Sequence, residues 1–221
     1  LSNDEKAIAN IFIGENFEGS PIPFTKEYFK ISFLHSKDGK SKIKGRLGDI
    51  PALNIKKISQ GLNVIRIESV TKYVQYEKLV KFEIFTREKG YPNLIQKHKE
   101  NNYPDNFYES YKRYAKSLIS VDNFNGSDVD TNMELELIFL ENPLKNLNES
   151  KRILLEYKNK ILANHKVSIM SLNNGYFKKE YVRTNKSGYF DFFFKKDTKY
   201  LIESVVIIEG SNKKKDNYAK W

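Results

Sequence analysis

The sequence contains no cysteine, and this absence removes several kinds of chemistry at once. Disulfides, thiolate metal sites and cysteine nucleophiles are excluded, and so are the small secreted domains that depend on disulfides for stability. Of the 221 residues, 39% are hydrophobic, including 15 Phe and 14 Tyr. Cores can therefore form without a covalent cross-link, and we expect a globular protein of one large or, more favourably, two small domains.

Arginine is scarce in a chain that is otherwise basic. The formal net charge of +10 arises from 38 basic and 28 acidic residues, but only six residues are Arg, at positions 46, 66, 87, 113, 152 and 183. Bidentate reading of phosphate and guanine favours Arg over Lys. The lysines are scattered through every segment, with one tight run at Lys213, Lys214 and Lys215. We therefore expect a solvated, lysine-rich surface and no nucleic-acid partner.

Long hydrophobic runs are also missing. No stretch approaches the roughly 18–20 apolar residues that a membrane-spanning helix needs, which predicts a soluble chain that is peripheral to a membrane at most. A charged segment followed by a hydrophobic one, the mark of an export signal, is not present in this sequence. Any such signal has been removed or was never there.

Catalytic motifs are equally scarce. No Gly-rich loop precedes a helix, no Ser stands in a nucleophile elbow, and no His-Glu pair has the spacing of a zinc protease. Glu134 and Glu136 alternate along a predicted strand and are expected to face solvent. We predict no catalytic residue and a protein that is not an enzyme, with an enzyme of unknown reaction as the remaining alternative.

Hairpin signals are what the sequence does contain, and they are densest between residues 159 and 208. Runs rich in aromatic and β-branched residues are separated by Asn173-Asn174-Gly175 and by Asn185-Lys186-Ser187-Gly188. Asn-Gly supplies the positive φ angles of a tight hairpin turn, and the flanking residues suit a half-buried pleated surface. With two further strands predicted near 134–140 and 152–157, this region is expected to form a β-sandwich.

The first 75 residues show the same period of two. In the segment 28–35, Phe29, Ile31 and Phe33 are predicted to share one face of a strand. Asp38-Gly39 marks the turn that follows, and Gly61 opens another strand that runs to Val70. A sheet of at least three strands is expected here.

A helical pattern interrupts these strands. Residues 77–89 place apolar side chains at spacings of three, with Gly90 in the position that ends a helix and Pro92 just beyond. A second short helix is predicted from Pro92 to about Lys99. Residues 107–121 are ambiguous; we assign their start to helix and residues 115–121 to strand.

Together these signals predict a mainly β protein of two β-sandwich-like domains of immunoglobulin or transthyretin type. The first covers residues 1–121, with a helical insertion at about 77–112. Residues 122–133 are rich in Asp, Asn, Gly and Ser, which favours a solvated linker. The second domain, a transthyretin-like sandwich, covers residues 134–221.

Metal-ligating residues are few. His35, His98 and His165 are about 63 and 67 residues apart, without the short spacing that marks most metal sites, so we interpret them as unrelated surface or turn residues. A site that uses two of them is the alternative. Residues 128–132 have the opening spacing of a calcium loop, but Met133 and Phe139 stand where that loop needs Gly and Glu. The identity of any metal is left unknown.

Five residues are candidates for ligand binding. Arg46 and Asp49 stand in a Gly-flanked turn, where the guanidinium could bind an anion in bidentate fashion, or where the two could form an ion pair that holds the turn. Tyr111, Arg113 and Lys116 could share one face of a strand and present a second set of polar groups. The alternative for them is packing, with long side chains that reach solvent.

Three blocks of sequence carry a resemblance to a known family. The first is residues 13–23 (IGENFEGSPIP) with 45–52 (GRLGDIPA), the second is residues 82–90 with 111–119 (YKRYAKSLI), and the third is the C-terminal sandwich with its turn at 184–190. In order and spacing, the chain resembles NikM-like bacterial exported proteins of unassigned activity.

This resemblance implies an extracytoplasmic, periplasmic location and a transthyretin-like fold for the second domain. It also implies a non-enzymatic binding or accessory role that could serve nickel or cobalt uptake, with a metal transporter or another envelope protein as partner. No cofactor is expected beyond such a transition metal. A structural or adhesive module of the cell envelope, which would use its sandwich edges and aromatic loops as contact surfaces, is the alternative function.

Overall fold

The structure is a computed structural model that describes residues 6–147, 149–210 and 220–221. Within these ranges strands dominate and helix is confined to one pair, so the predicted mainly β fold class is confirmed. No helix among the described residues is long and apolar enough to cross a membrane. The lysine run 213–215 lies outside the described residues.

Ten strands and two helices are described within the first 121 residues. Those before residue 77 are β1 (Ala7–Ala9), β2 (Ile11–Glu15), β3 (Glu18–Ile22), β4 (Phe29–Ser36), β5 (Gly39–Lys42), β6 (Leu53–Ile55), β7 (Gly61–Ser69) and β8 (Lys72–Tyr76). The helices and strands that follow are α1 (Leu79–Glu88), α2 (Leu94–Glu100), β9 (Phe107–Tyr111) and β10 (Tyr114–Val121).

The first core forms between two of the sheets in this part. Strands β10, β7, β4 and β5 form an antiparallel sheet in that order, and β1 pairs with β6. Their facing residues bury one cluster: Ala7, Leu34, Ile43, Leu53, Ile55, Ile58, Ile65, Ile67 and Val121. The turn predicted at Asp38-Gly39 joins β4 to β5, and Gly39 has the positive φ of 101° that such a turn needs.

A bulge in β4 changes which face its aromatic residues occupy. The pairing of β4 with β7 shifts register between Phe29 and Ile31. Phe29 consequently packs against the same core as Leu34, whereas Ile31 and Phe33 do not belong to that core. The prediction that Phe29, Ile31 and Phe33 share one face is therefore wrong, because an inserted residue breaks the period of two.

The two helices agree with the sequence pattern. Gly90 has a φ of 95° and its amide donates to the carbonyl of Arg87, while the amide of Tyr91 donates to that of Thr86. These two bonds form a Schellman motif, which satisfies the last carbonyls of α1. With β8 and β9 the helices bury a mainly aromatic cluster of Phe82, Ile95, Phe107 and Trp221.

The start of the ambiguous segment is a strand and not the predicted helix. Residues 107–111 pair along their whole length with β8, which sets Phe107 opposite Tyr76. Phe107 is 3% exposed and stacks on the Tyr76 ring at 5.3 Å between centroids. Pairing with a distant strand decided its conformation, because short segments have weak local preferences.

Seven strands are described after residue 134. They are β11 (Leu135–Phe139), β12 (Ser150–Tyr157), β13 (Lys160–Ile161), β14 (Lys166–Asn173), β15 (Tyr176–Arg183), β16 (Tyr189–Phe193) and β17 (Lys199–Glu203). Strand β12 pairs with β11, β13 and β16, while β14 lies between β15 and β17. Residues from both sheets bury one core, namely Phe139, Ile153, Leu155, Val167, Ile169, Phe190 and Phe194. The arrangement is sandwich-like, with one core between two facing sheets.

Candidate functional site

Arg46 and Asp49 contact each other in an exposed loop. Nε of Arg46 lies 3.3 Å from Oδ1 of Asp49, and Oδ2 of Asp49 accepts a hydrogen bond of 3.0 Å from the Arg46 amide. The Arg46 side chain is 90% exposed. The predicted ion pair between Arg46 and Asp49 is therefore present in this turn. It engages the Asp49 carboxylate but leaves the Arg46 guanidinium exposed.

Tyr111 and Arg113 also contact each other, at the junction of β9 and β10. The Arg113 guanidinium lies 4.7 Å from the centre of the Tyr111 ring, a distance at which a cation–π attraction acts. The Arg113 amide donates to Oγ of Ser69, and its carbonyl accepts from the Ser69 amide. This residue is therefore held by the end of β7.

Lys116 lies far from solvent, between the two halves of the chain. Its ammonium is 2.6 Å from Oε1 of Glu136 and 3.0 Å from Oδ2 of Asp128, and it also donates to the carbonyls of Val129 and Leu137. The side chains of Lys116, Asp128 and Glu136 are 8%, 0% and 2% exposed. A fully paired cation of this kind holds segments together and leaves no donor for a ligand.

These contacts correct two expectations from the sequence. Glu136 does not face solvent, because its carboxylate accepts hydrogen bonds from the amides of Thr131 and Met133 as well as the Lys116 ion pair. Residues 128–131 are not a fully solvated linker either: Val129 and Asp130 are exposed, but Thr131 is 0% exposed and Asp128 accepts from the Phe139 amide. The ammonium of Lys116 neutralises the carboxylates of Asp128 and Glu136, which makes their burial possible.

The five predicted residues thus fall into three separate places. Arg46 and Asp49 form one pair, Tyr111 and Arg113 form another, and Lys116 belongs to the buried cluster. Among the described residues, no hydrogen bond or ion pair links one of these places to another. A single site made from all five is not assembled.

The histidines are also apart, and one was placed wrongly. His98 is not a surface residue but is 0% exposed, with Nδ1 accepting from the Trp221 indole and Nε2 facing the Pro104 carbonyl. His165 is bonded through Nε2 to the Val205 carbonyl, and His35 lies on β4. In the described ranges, no group of three or more His, Asp or Glu side chains is placed to hold a metal ion.

A cleft of about 360 Å³ lies where the end of α1 meets the three-stranded sheet, and the sequence did not predict it. Its lining combines residues at and just after the end of α1 with residues of β14 and β15: Arg87, Gly90, Pro92, Lys166, Tyr181, Val182 and Arg183. Three of these seven residues are cations and none is acidic. We call this feature the basic cleft.

The carboxylates around the basic cleft are each engaged by a cation. Glu83 pairs with Arg87 at 2.7 Å, Glu88 pairs with Lys179 at 2.5 Å, and Glu203 pairs with Lys89. Neither Lys166 nor Arg183 has a carboxylate within 4 Å among the described residues. Their hydrogen bonds go to neutral acceptors, with Lys166 donating to the Glu88 carbonyl at 2.6 Å and Arg183 to the Asn164 carbonyl at 2.7 Å.

Lys166 and Arg183 are directly opposed across the β14–β15 pair. Like charges at opposed positions of an antiparallel pair repel each other and cost stability. Burial, together with the positive charges of Arg183, Lys179 and Lys89, lowers the pKa of Lys166 although Glu88 acts in the other direction. Its ammonium also lies 3.8 Å from the centre of the Tyr181 ring. An anion placed between the two cations would relieve this repulsion.

One part of the basic cleft could have been predicted from the sequence. The predicted turn at Asn174-Gly175 is present, with φ angles of 47° and 82°, and counting outward from it pairs Lys166 with Arg183. The approach of α1 to this hairpin could not be predicted, because no local feature of α1 or of β14 signals their contact. Gly90 permits that contact: a Cβ there would lie 3.0 Å from Cβ of Lys166.

Comparison with known proteins places the chain in a family. Residues 1–207 match the family described as a domain of unknown function, DUF4198. No curated protein and no solved structure matches the chain. Because the match covers nearly the whole sequence, the chain belongs to the DUF4198 family.

Proposed function

We propose that this chain is a non-enzymatic binding protein that takes an anionic ligand in the basic cleft. The observation that supports this role is the opposed pair of Lys166 and Arg183, two cations that have no carboxylate partner among the described residues. A like-charge pair of this kind costs stability, and such costs are typical of positions retained for binding. The ammonium and the guanidinium together suit a carboxylate or phosphate group.

The surroundings of the cleft support a preformed site. Lys166 is held by the Tyr181 ring on one side and by the Glu88 carbonyl on the other, so its ammonium has little freedom left to lose on binding. Because Gly90 has no Cβ, the end of α1 can lie directly against the Lys166 stem. A ligand therefore meets cations that are already in position.

The sequence resemblance extends the proposal to location and process. It suggests a protein that acts outside the cytoplasm, with a transthyretin-like second domain and a role in nickel or cobalt uptake. A cleft with excess positive charge repels a bare divalent cation, so we propose that metal would enter it as a complex with an anionic chelator. The other alternative, an adhesive envelope module, is supported by exposed aromatic residues on the edge strand β15, such as Tyr176 and Phe177.

Isothermal titration calorimetry with citrate and with inorganic phosphate tests the anion site. Arg183→Glu places an opposite charge across from Lys166, and we expect it to raise the free energy of unfolding by about 0.2–1 kcal/mol while abolishing anion binding. Lys160→Glu, on β13 and exposed, makes the same change of net charge as a control. Equal affinities in the two variants would contradict the anion site.

The metal arm of the test uses the same two variants with nickel chloride and with nickel citrate. If metal is carried as an anionic complex, nickel citrate binds and the Arg183→Glu variant loses it, while nickel chloride alone does not bind in the cleft. Tight binding of nickel chloride that Arg183→Glu leaves unchanged would place the metal elsewhere in the protein.

A further inference from the structure

Trp221 closes the mainly aromatic cluster of the helical part, although it lies 110 or more residues from its neighbours in sequence. Its side chain is 4% exposed and packs 6.0 Å from the Phe82 ring, 6.4 Å from His98 and 6.2 Å from Tyr103, between ring centres. The contact with His98 is nearly parallel, at an angle of 22°. The indole therefore forms part of this core.

Main-chain bonds hold the same segment on the edge of β9. The Lys220 amide donates to the Tyr108 carbonyl at 2.8 Å, and the Ser110 amide donates to the Trp221 carbonyl at 2.9 Å. The amide of Gly210 in turn donates to the Lys220 carbonyl. Residues 220–221 thus lie along the free edge of β9, held there by main-chain hydrogen bonds.

The Trp221–His98 hydrogen bond specifies the protonation state of the imidazole. An indole N–H can only donate, so Nδ1 of His98, 3.1 Å away, must carry a lone pair. The ring proton is then on Nε2, which donates to the Pro104 carbonyl at 3.0 Å. His98 is held as the neutral Nε2–H tautomer. A second proton on Nδ1 would face the indole N–H and break the bond.

Burial has the largest effect on the pKa of His98, because most of the groups that face the imidazole are apolar. Phe82 of α1 and Phe107 of β9 present apolar rings, and the Tyr103 ring lies 5.5 Å away with its hydroxyl on Glu209. Burial lowers the pKa of His98, although the Pro104 carbonyl, the charge of Asp105 and the Tyr103 carbonyl act in the other direction. The remaining charged groups nearby are Lys97 over the Trp221 ring, Lys220 over the Tyr103 ring, and Glu109, which is bonded to Tyr76 beyond Phe107.

We propose that the Trp221–His98 bond is an acid-sensitive lock, which holds residues 220–221 on β9 and opens when His98 takes up a proton. Protonation turns Nδ1 of His98 from an acceptor into a donor, so the indole loses its partner and the segment leaves the edge of β9. Opening exposes the edge of β9 and an apolar hollow between α1 and α2. This inference does not depend on the basic cleft, whose lining includes neither residue.

Tryptophan fluorescence tests the lock directly because Trp221 is the only tryptophan of the chain. On titration from pH 8 towards pH 5, we expect the emission maximum to shift to longer wavelength and acrylamide quenching to increase several-fold. Wavelength and acrylamide access are preferred to intensity, since a protonated imidazole can quench an indole without any movement. The far-UV circular dichroism should stay constant through this transition.

His98→Asn is the decisive variant. The Oδ1 atom of Asn can occupy the place of Nδ1 and accept from the indole, but it does not take up a proton in this pH range. We expect a buried emission maximum that does not change between pH 8 and pH 5. His165→Gln is the matched control and should keep the transition of the wild type.

Two outcomes would overturn the lock. The first is an unchanged acid transition in His98→Asn, and the second is loss of circular dichroism together with the fluorescence shift in the wild type. If His98→Asn does not fold, Trp221→Phe provides the second test. Removing the indole donor should raise the pKa of His98, read from its imidazole proton resonances, and an unchanged pKa would contradict the proposal.

Discussion

The ammonium of Lys116 on β10 lies 2.6 Å from Oε1 of Glu136 on β11, and this contact joins a strand of the first part to a strand of the second. The same ammonium reaches Asp128, whose side chain is 0% exposed. Nearby, Arg66 donates to the Thr131 carbonyl at 2.6 Å. The two parts of the chain are therefore connected by buried charges as well as by apolar packing.

Removing the Lys116 charge should destabilise the protein strongly. In Lys116→Met, the carboxylates of Asp128 and Glu136 lose their shared cation while they remain buried. We expect the free energy of unfolding to fall by about 3–5 kcal/mol, as for other broken buried pairs. Urea denaturation measures this loss, and the exposed Lys160→Met serves as control with a change near zero. A loss below 1 kcal/mol would contradict the buried network.

Gly90 and Gly39 allow the contact between α1 and β14 to be measured. Both have positive φ angles, 95° and 101°, so an Ala at either position is strained. A Cβ at Gly90 would lie 3.0 Å from Lys166, whereas a Cβ at Gly39 meets nothing within 4 Å. We expect Gly90→Ala to lose more stability than Gly39→Ala in urea denaturation, and to weaken citrate binding as well. Equal losses and equal affinities would show that the Lys166 contact contributes nothing.

Arg46 and Asp49 should differ in their effect on stability. The Asp49 carboxylate accepts from the Arg46 amide, so Asp49→Ala leaves that turn without an acceptor and should cost about 1 kcal/mol. Arg46→Ala removes only an exposed ion pair, for which about 0–0.5 kcal/mol is expected. Thermal denaturation of both variants checks the order. If Arg46→Ala instead lowered anion affinity in calorimetry, the ligand role predicted from the sequence would gain support over the basic cleft.

His165 should make the protein sensitive to acid. Burial lowers its pKa below 6.5, so its contribution to stability is fully present above about pH 6.5 and is lost as the pH falls through the lower folded value. His165→Gln keeps a donor for the Val205 carbonyl but cannot titrate. We expect a smaller difference in the free energy of unfolding between pH 8 and pH 5 in the variant than in the wild type, by urea denaturation. Identical pH dependence would contradict the shifted pKa.

Predictions of turns and helix ends were correct where they depended only on adjacent residues. The end of α1 at Gly90, the turn at Asn174-Gly175 and the turn at Asp38-Gly39 all follow from backbone preferences of a few adjacent residues. The prediction for Phe107 failed because its partner β8 lies some thirty residues earlier. The prediction for Glu136 failed for a similar reason, since its burial depends on Lys116 from another strand.

The candidate site shows the same division. Lys166 and Arg183 could have been paired by counting from their hairpin turn, but the helix end that completes the basic cleft comes from a segment almost eighty residues away. Arg46, Asp49, Tyr111, Arg113 and Lys116 were grouped by residue type, and the fold distributes them over three places. Residue chemistry suggested an anion site at Arg46, whereas the site that we propose lies at Lys166 and Arg183.

The amino-acid sequence by itself determined the mainly β character, the helical pair between strands and the positions of the tight turns, because these depend on the period of apolar residues and on φ preferences of neighbours. Only the tertiary structure decided which charges are neutralised. Lys116 is buried and paired, whereas Lys166 and Arg183 are opposed and, in the part of the chain that the structure describes, neither is paired with a carboxylate. Electrostatic pairing acts through space over a few ångströms, and the spatial neighbours of a side chain are set by how the sheets and helices pack.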